Sequence, residues 1–134
     1  MQRRFFYVIA TLLTLSLSWA AYASHSIPED KLEAQKIYYG VTSNFSKAAE
    51  VDFEVVVRAT PEYQEIRDSN IERGTGKYWI LMSRASDRSN SAITTFGRES
   101  DYDIIAAKGY LESVDSDIPV EDITSEIVKK IEEG

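Results

Sequence analysis

The chain of 134 residues contains no cysteine. That excludes disulfide cross-links, a thiol nucleophile, a cysteine metal site and a lipid anchor on an N-terminal cysteine. Histidine is reduced to one residue, His25. A Ser–His–Asp triad needs a histidine held rigidly by packing, and His25, close to the expected start of the exported chain, reads as mobile tail. Internal repeats and low-complexity segments are absent, and so are blocks of like charge. Positive charge is in deficit, with 15 basic against 22 acidic residues and a formal charge of −7. An acidic surface repels nucleic acid and anionic membrane faces, so no nucleic-acid partner is expected.

What is present begins with an address. Met1-Gln-Arg-Arg4 precedes an apolar run from Phe5 to Ala21, and Ala21-Tyr22-Ala23 closes it. A charged start, an apolar middle and an A-x-A exit are the layout of a secretory signal peptide. The small side chains of Ala21 and Ala23 suit signal peptidase, which places cleavage before Ser24. An uncleaved anchor is the alternative, since the run is long for a signal and short for a span. The chain then divides into a signal at 1–23, an N-terminal segment of uncertain structure at 24–46, and one domain at 47–134. No second long apolar run follows, so stable membrane insertion is not expected after cleavage. Loss of Arg3 and Arg4 takes the formal charge from −7 to −9.

Pro28 suits the first turn of a short helix running toward Tyr39 and closed by Gly40. An extended reading of Gln35 to Val41 competes with it. Val51 to Arg58 alternates and is rich in valine, which predicts a half-buried strand with Val51, Phe53, Val55 and Val57 on one side. Thr60-Pro61-Glu62 starts a helix, with a hydroxyl cap, an early proline and an acid near the positive dipole end. That helix is expected to reach about Arg73, and Gly74-Thr75-Gly76 to turn the chain. Lys77 to Arg98 is the strongest helix, with Tyr78, Met82, Ala85, Ser89, Ala92 and Phe96 forming a heptad-like seam. Asp101 to Ala107 reads as a strand and Tyr110 to Val114 as a second short one. A final helix from Asp122 buries Ile123, Ile127 and Ile131. The expected fold class is α+β: a small β-sheet, a helical hairpin and a C-terminal helix.

Catalytic and metal motifs do not complete themselves. Gly74-Thr-Gly-Lys77 lacks the outer glycine and the hydroxyl of a phosphate loop, because Ile71 and Tyr78 occupy those positions. Asp115, Asp117 and Glu126 fall at calcium-loop spacing, but Pro119 and Val120 stand where a ligand and the turn glycine belong. Asp101 and Asp103 share a strand face without a signature of a cleft. Asn44-Phe45-Ser46 matches a glycosylation sequon. No cofactor or metal site is assigned. Trp79 lies at the edge of the helical seam, divided between core edge and partner contact. The candidate interface is therefore Tyr78, Trp79, Met82, Ala85, Ser89, Ala92 and Phe96.

Ala48-Ala-Glu-Val-Asp-Phe-Glu-Val-Val-Val-Arg-Ala-Thr-Pro-Glu-Tyr63 resembles the opening of Skp/OmpH-type periplasmic chaperones. Ala92-Ile93 through Asp101-Tyr-Asp-Ile-Ile105, followed by Asp122-Ile-Thr-Ser-Glu-Ile-Val128, resembles that family's end. The resemblance spans about Ala48 to Ile131. It implies a small β-body with a projecting helical hairpin, assembled as a trimer that holds unfolded outer-membrane proteins. The chain departs from that pattern in its shorter hairpin, Pro61 to Arg98, and in its negative charge. The expected function is that of an exported, non-enzymatic protein acting on other exported or envelope proteins, with homo-oligomerisation as a trimer if the resemblance holds. The alternative is a small exported enzyme or ligand-binding domain with an acidic cleft. N-terminal sequencing of the protein recovered from the cell envelope should begin at Ser24; a chain still starting at Met1 contradicts cleavage.

Overall fold

The computed structural model describes residues 23–134. Residues 1–22 of the expected signal, including Ala21, lie outside the described residues; Ala23 and Ser24 are exposed at the beginning of the described chain. The fold is α+β, with a mixed sheet and five α-helices among the described residues. In chain order the elements are β1 (Ile37–Gly40), β2 (Ala48–Val51), α1 (Phe53–Arg58), α2 (Pro61–Asp68), α3 (Gly76–Glu99), β3 (Ile104–Ala107), α4 (Tyr110–Val114), β4 (Val120–Asp122) and α5 (Thr124–Glu133). The sheet order is β1-β3-β2-β4. β2 runs parallel to both β3 and β4, while β1 closes the far edge antiparallel to β3.

The central strands are buried on both faces, as parallel strands flanked by helices are. Ala48, Ile104 and Ala106 point to a core shared with Ile27, Phe45 and α4. Ala49, Val51 and Ile105 point the other way, onto Val56 of α1, Ile93 of α3 and Ile123, Ile127 and Ile131. The three isoleucines recur every fourth residue, as expected, although the helix expected from Asp122 begins at Thr124: Asp122 ends β4 and Ile123 precedes α5. Burying such side chains contributes roughly 1.5–3 kcal/mol each.

Two segments expected as strands are helices. The strand predicted over Val51 to Arg58 stops at Val51, and α1 takes over at Phe53. Asp52 makes the change: its carboxylate accepts the amide of Val55 at 3.3 Å and caps the new helix. Burial then follows helical geometry, with Val56 and Val57 buried and Val55 41% exposed. The valine run satisfied either period, and packing on α3 and α5 decided between them. Tyr110 to Val114 is likewise α4, entered through Gly109 at φ +80°. Its buried residues, Tyr110, Leu111 and Val114, share one helical face.

The N-terminal segment takes the extended alternative. Glu29–Lys31 and Ala34–Lys36 are single 3-10 turns, and β1 follows in place of the helix toward Tyr39. Gly40 ends a strand, not a helix. Its φ is +95°, and a side chain there would fall 2.0 Å from the carbonyl oxygen of Asp103. His25 is not loose tail, for it exchanges backbone hydrogen bonds with Phe45 at 2.8 and 3.0 Å. Tyr110 ties the segment down: its hydroxyl donates to the carbonyl of Lys31 at 2.7 Å and accepts from the amide of Glu33 at 2.9 Å.

Helix α2 ends at Asp68, short of Arg73, where Asn70 adopts φ +49°. Helix α3 spans Gly76–Glu99 behind the Thr75 cap. Its buried stripe is Leu81, Ala85, Ser89, Ile93 and Gly97. The predicted seam is therefore rotated: Ala85 and Ser89 lie on it, while Tyr78, Met82, Ala92 and Phe96 are half-buried beside it. A strict spacing of four is one ridge of a helix surface, and such ridges fit the grooves of crossing helices. At Gly97 the stripe meets the ring of Tyr39, where an added Cβ would sit 2.4 Å from Cδ1. Gly97→Ala should therefore lower stability by about 1–2 kcal/mol despite better helix propensity, because overpacking outweighs it. Chemical denaturation is the measurement, and Tyr39→Ala introduced first should remove the penalty.

Candidate functional site

The corner where α1 meets α2 is set by Thr60, which is fully buried. Its hydroxyl donates to the carbonyl of Val57 at 2.6 Å and accepts the amide of Tyr63 at 3.2 Å, serving both helices at once. Gln64 reaches back to the carbonyl of Arg58 at 2.9 Å. The chain then leaves α2, turns through Gly74 at φ +87° and returns along α2 as α3. Two ion pairs fix that return, Glu65 with Lys77 at 3.6 Å and Glu62 with Arg88 at 2.7 Å. The second is bidentate, and the Arg88 guanidinium holds the Glu62 carboxyl below its usual value.

These constraints leave an open groove of about 390 Å³ between α1, α2 and the start of α3. Val57 and Ile66 form its floor, with Ile71 and Met82 beside them. Tyr63 and Tyr78 stand on its walls, and Glu54, Arg58 and Arg73 at its rim. Glu54 and Arg58 pair with each other. Arg73 makes no side-chain hydrogen bond or ion pair among the described residues, and neither tyrosine hydroxyl there has a partner. Trp79 meets the Tyr78 ring edge-on at 5.3 Å and is 61% exposed. Ile80 beside it is 55% exposed.

The residues expected to form one interface are thus divided among three places. Tyr78, Trp79 and Met82 belong to the groove end of α3. Ala85 and Ser89 are wholly buried within the chain, where the Ser89 hydroxyl returns to the carbonyl of Ala85 at 2.8 Å. They have no surface to offer a partner. Ala92 and Phe96 pack against the core under α5, and Phe96 stacks on Tyr102 at 6.2 Å. Sequence reasoning omitted Tyr63, Ile71 and Arg73 from the site. Tyr63 faces the groove from within α2, and nothing local told that α2 would stop at Asp68 and leave Ile71 and Arg73 lining the same groove as Tyr78.

A second depression, of about 570 Å³, lies at the starts of β2 and β4. It holds the carboxylates that come nearest to an acidic cleft, and each is already engaged. Asp101 pairs with Lys47, and Glu121 accepts from the Tyr102 hydroxyl. Burial and Glu121 push the Tyr102 phenol up to about 12, so it stays protonated. Asp103 accepts the amides of Ser46 and Lys47 at 2.8 and 3.0 Å, which holds its carboxyl below the usual range. In the stretch with calcium-loop spacing, Asp115 accepts the amide of Asp117 at 2.9 Å in a local turn. Among the described residues no three carboxylate or imidazole groups converge on one point, and no helix is long and apolar enough to cross a membrane.

No family model, curated protein or solved structure matches this chain.

The Glu62–Arg88 pair ties α2 to α3, so its removal is informative. A depressed carboxyl stabilises the fold above its unfolded value near 4.5 and loses that contribution as the pH falls. Glu62→Gln should cost about 0.5–1 kcal/mol at neutral pH, since Arg88 is partly exposed. The difference from the parent protein should shrink below about pH 4.5. Urea denaturation across that range checks both statements.

Proposed function

We propose that this chain is an exported protein that works by binding other proteins of the envelope, through the groove end of α3. The observation that carries the reading is the apolar surface at Tyr78, Trp79 and Ile80, with Trp79 and Ile80 each more than half exposed. Tryptophan and tyrosine are the side chains that most often anchor protein interfaces, because they bury a large area at small conformational cost. The patch adjoins a groove and sits on a helix fixed along its length, so it is preorganised for contact. Export rests on the segment from Met1 to Ala23, and the chaperone-like form of the proposal rests on the Skp/OmpH resemblance. Self-association, as a trimer in that family's manner, is a further form of the same proposal. It would use the groove end of α3, because Ala85 and Ser89 are covered within the chain.

Trp79→Ser combined with Ile80→Ser removes the patch without touching the buried stripe. Cross-linking in envelope extract, with partners identified by mass spectrometry, should show the parent protein's partners lost in the double variant. Thermal unfolding of the two proteins should remain alike. An undiminished set of partners would overturn the assignment of the surface.

A further inference from the structure

The groove is apolar at its floor and donor-rich at its rim, and its free donors all have the same preference. Arg73 carries a positive charge, and no carboxylate among the described residues pairs with it. The hydroxyls of Tyr63 and Tyr78 line the same space and donate to nothing among the described residues. Glu54 is the one acid at the rim, and it is held by Arg58. The surrounding charge agrees. From Phe53 to Glu99 seven basic residues balance seven acidic ones, whereas residues 100–134 carry ten acidic and three basic. The groove therefore opens on the least negative part of an acidic protein.

Resting on the reading of the chain as a protein binder, we propose that the groove takes an extended peptide segment in which apolar side chains flank a carboxylate. The apolar residues cover Ile66, Ile71 and Met82. The carboxylate meets the Arg73 guanidinium, with Tyr63 and Tyr78 donating to the oxygens that remain. A guanidinium–carboxylate contact at the edge of an apolar floor is stronger than the same pair in open solvent, because the bound peptide excludes water from one side of it. Trp79, edge-on to Tyr78, extends the apolar contact beyond the groove.

The test uses the full chain and three fluorescein-labelled peptides of leucine and glycine that differ only at a central glutamate, glutamine or lysine. Fluorescence polarisation should show the glutamate peptide binding about tenfold more tightly than the glutamine peptide, with the lysine peptide weakest. Arg73→Gln, at an exposed position, should abolish the preference for glutamate over glutamine and leave thermal unfolding unchanged. Tyr78→Phe should weaken the glutamate peptide severalfold while keeping the apolar contact. Equal binding of the glutamate and glutamine peptides, or a preference that survives Arg73→Gln, would overturn the proposal. Loss of envelope partners in the Trp79/Ile80 variant with no peptide bound would remove the acidic-peptide assignment alone and leave protein binding standing.

Discussion

A helix of 24 residues, about 36 Å long, is the constraint around which this molecule is arranged. No single neighbour is long enough to cover α3. Its buried ridge is shared out: α2 lies along the first half, held by Glu62 and Glu65. The second half lies on α1, α5 and the sheet through Ile93 and Gly97. Small residues make this possible. Ala85, Ser89 and Gly97 leave room for packed neighbours, the Tyr39 ring at Gly97 among them, and the one hydroxyl among the three is satisfied within the helix. Larger side chains at those points would push the layers apart, so the small residues set the interlayer distances.

Much of this was legible in the sequence because it depends on local chemistry. The cap at Thr60, the turn at Gly74-Thr75-Gly76, the long helix, the β3 strand and the isoleucine repeat that runs into α5 all follow from residues a few positions apart, whereas the capping role of Thr75 was not read. The failures share a different cause. Phe53 to Arg58 and Tyr110 to Val114 are short valine- or leucine-bearing segments whose pattern fits two periods, and only the surface they meet decides between helix and strand. The rotation of the α3 stripe has the same origin. A heptad seam presumes one partner helix, whereas four elements crossing at different angles select every fourth residue. The groove was legible only in part. Tyr78, Trp79 and Met82 stood out on their helix, but Arg73 gained its place from the early end of α2 at Asp68 and the turn through Asn70.

Charge is distributed so that the two ends of the molecule differ in kind. Around α2 and the start of α3, acids and bases are interleaved and largely paired. Around α4, β4 and α5, acids dominate and many act locally, as Asp115 and Asp122 do in accepting nearby amides. The acidic end is held by its own turns and caps, and it keeps that part of the surface hydrated. The exposed aromatic and aliphatic residues of α3 lie at the other end. Net negative charge and exposed apolar side chains of α3 thus fall in separate stretches of the chain.

The strand order has a consequence in time. β1 and β2 are made early in the chain, yet neither pairs with the other. Both wait for β3, which lies on the far side of three helices, and β4 joins β2 later still. The N-terminal segment is likewise pinned by a hydroxyl from Tyr110. Sheet formation is therefore impossible until residues beyond 100 are available, however favourable the helices are alone. Contacts of such long range are slow to form, because loop closure must come before any pairing. A chain built this way leaves both early strands unpaired until β3 has been made, and only then commits to its sheet.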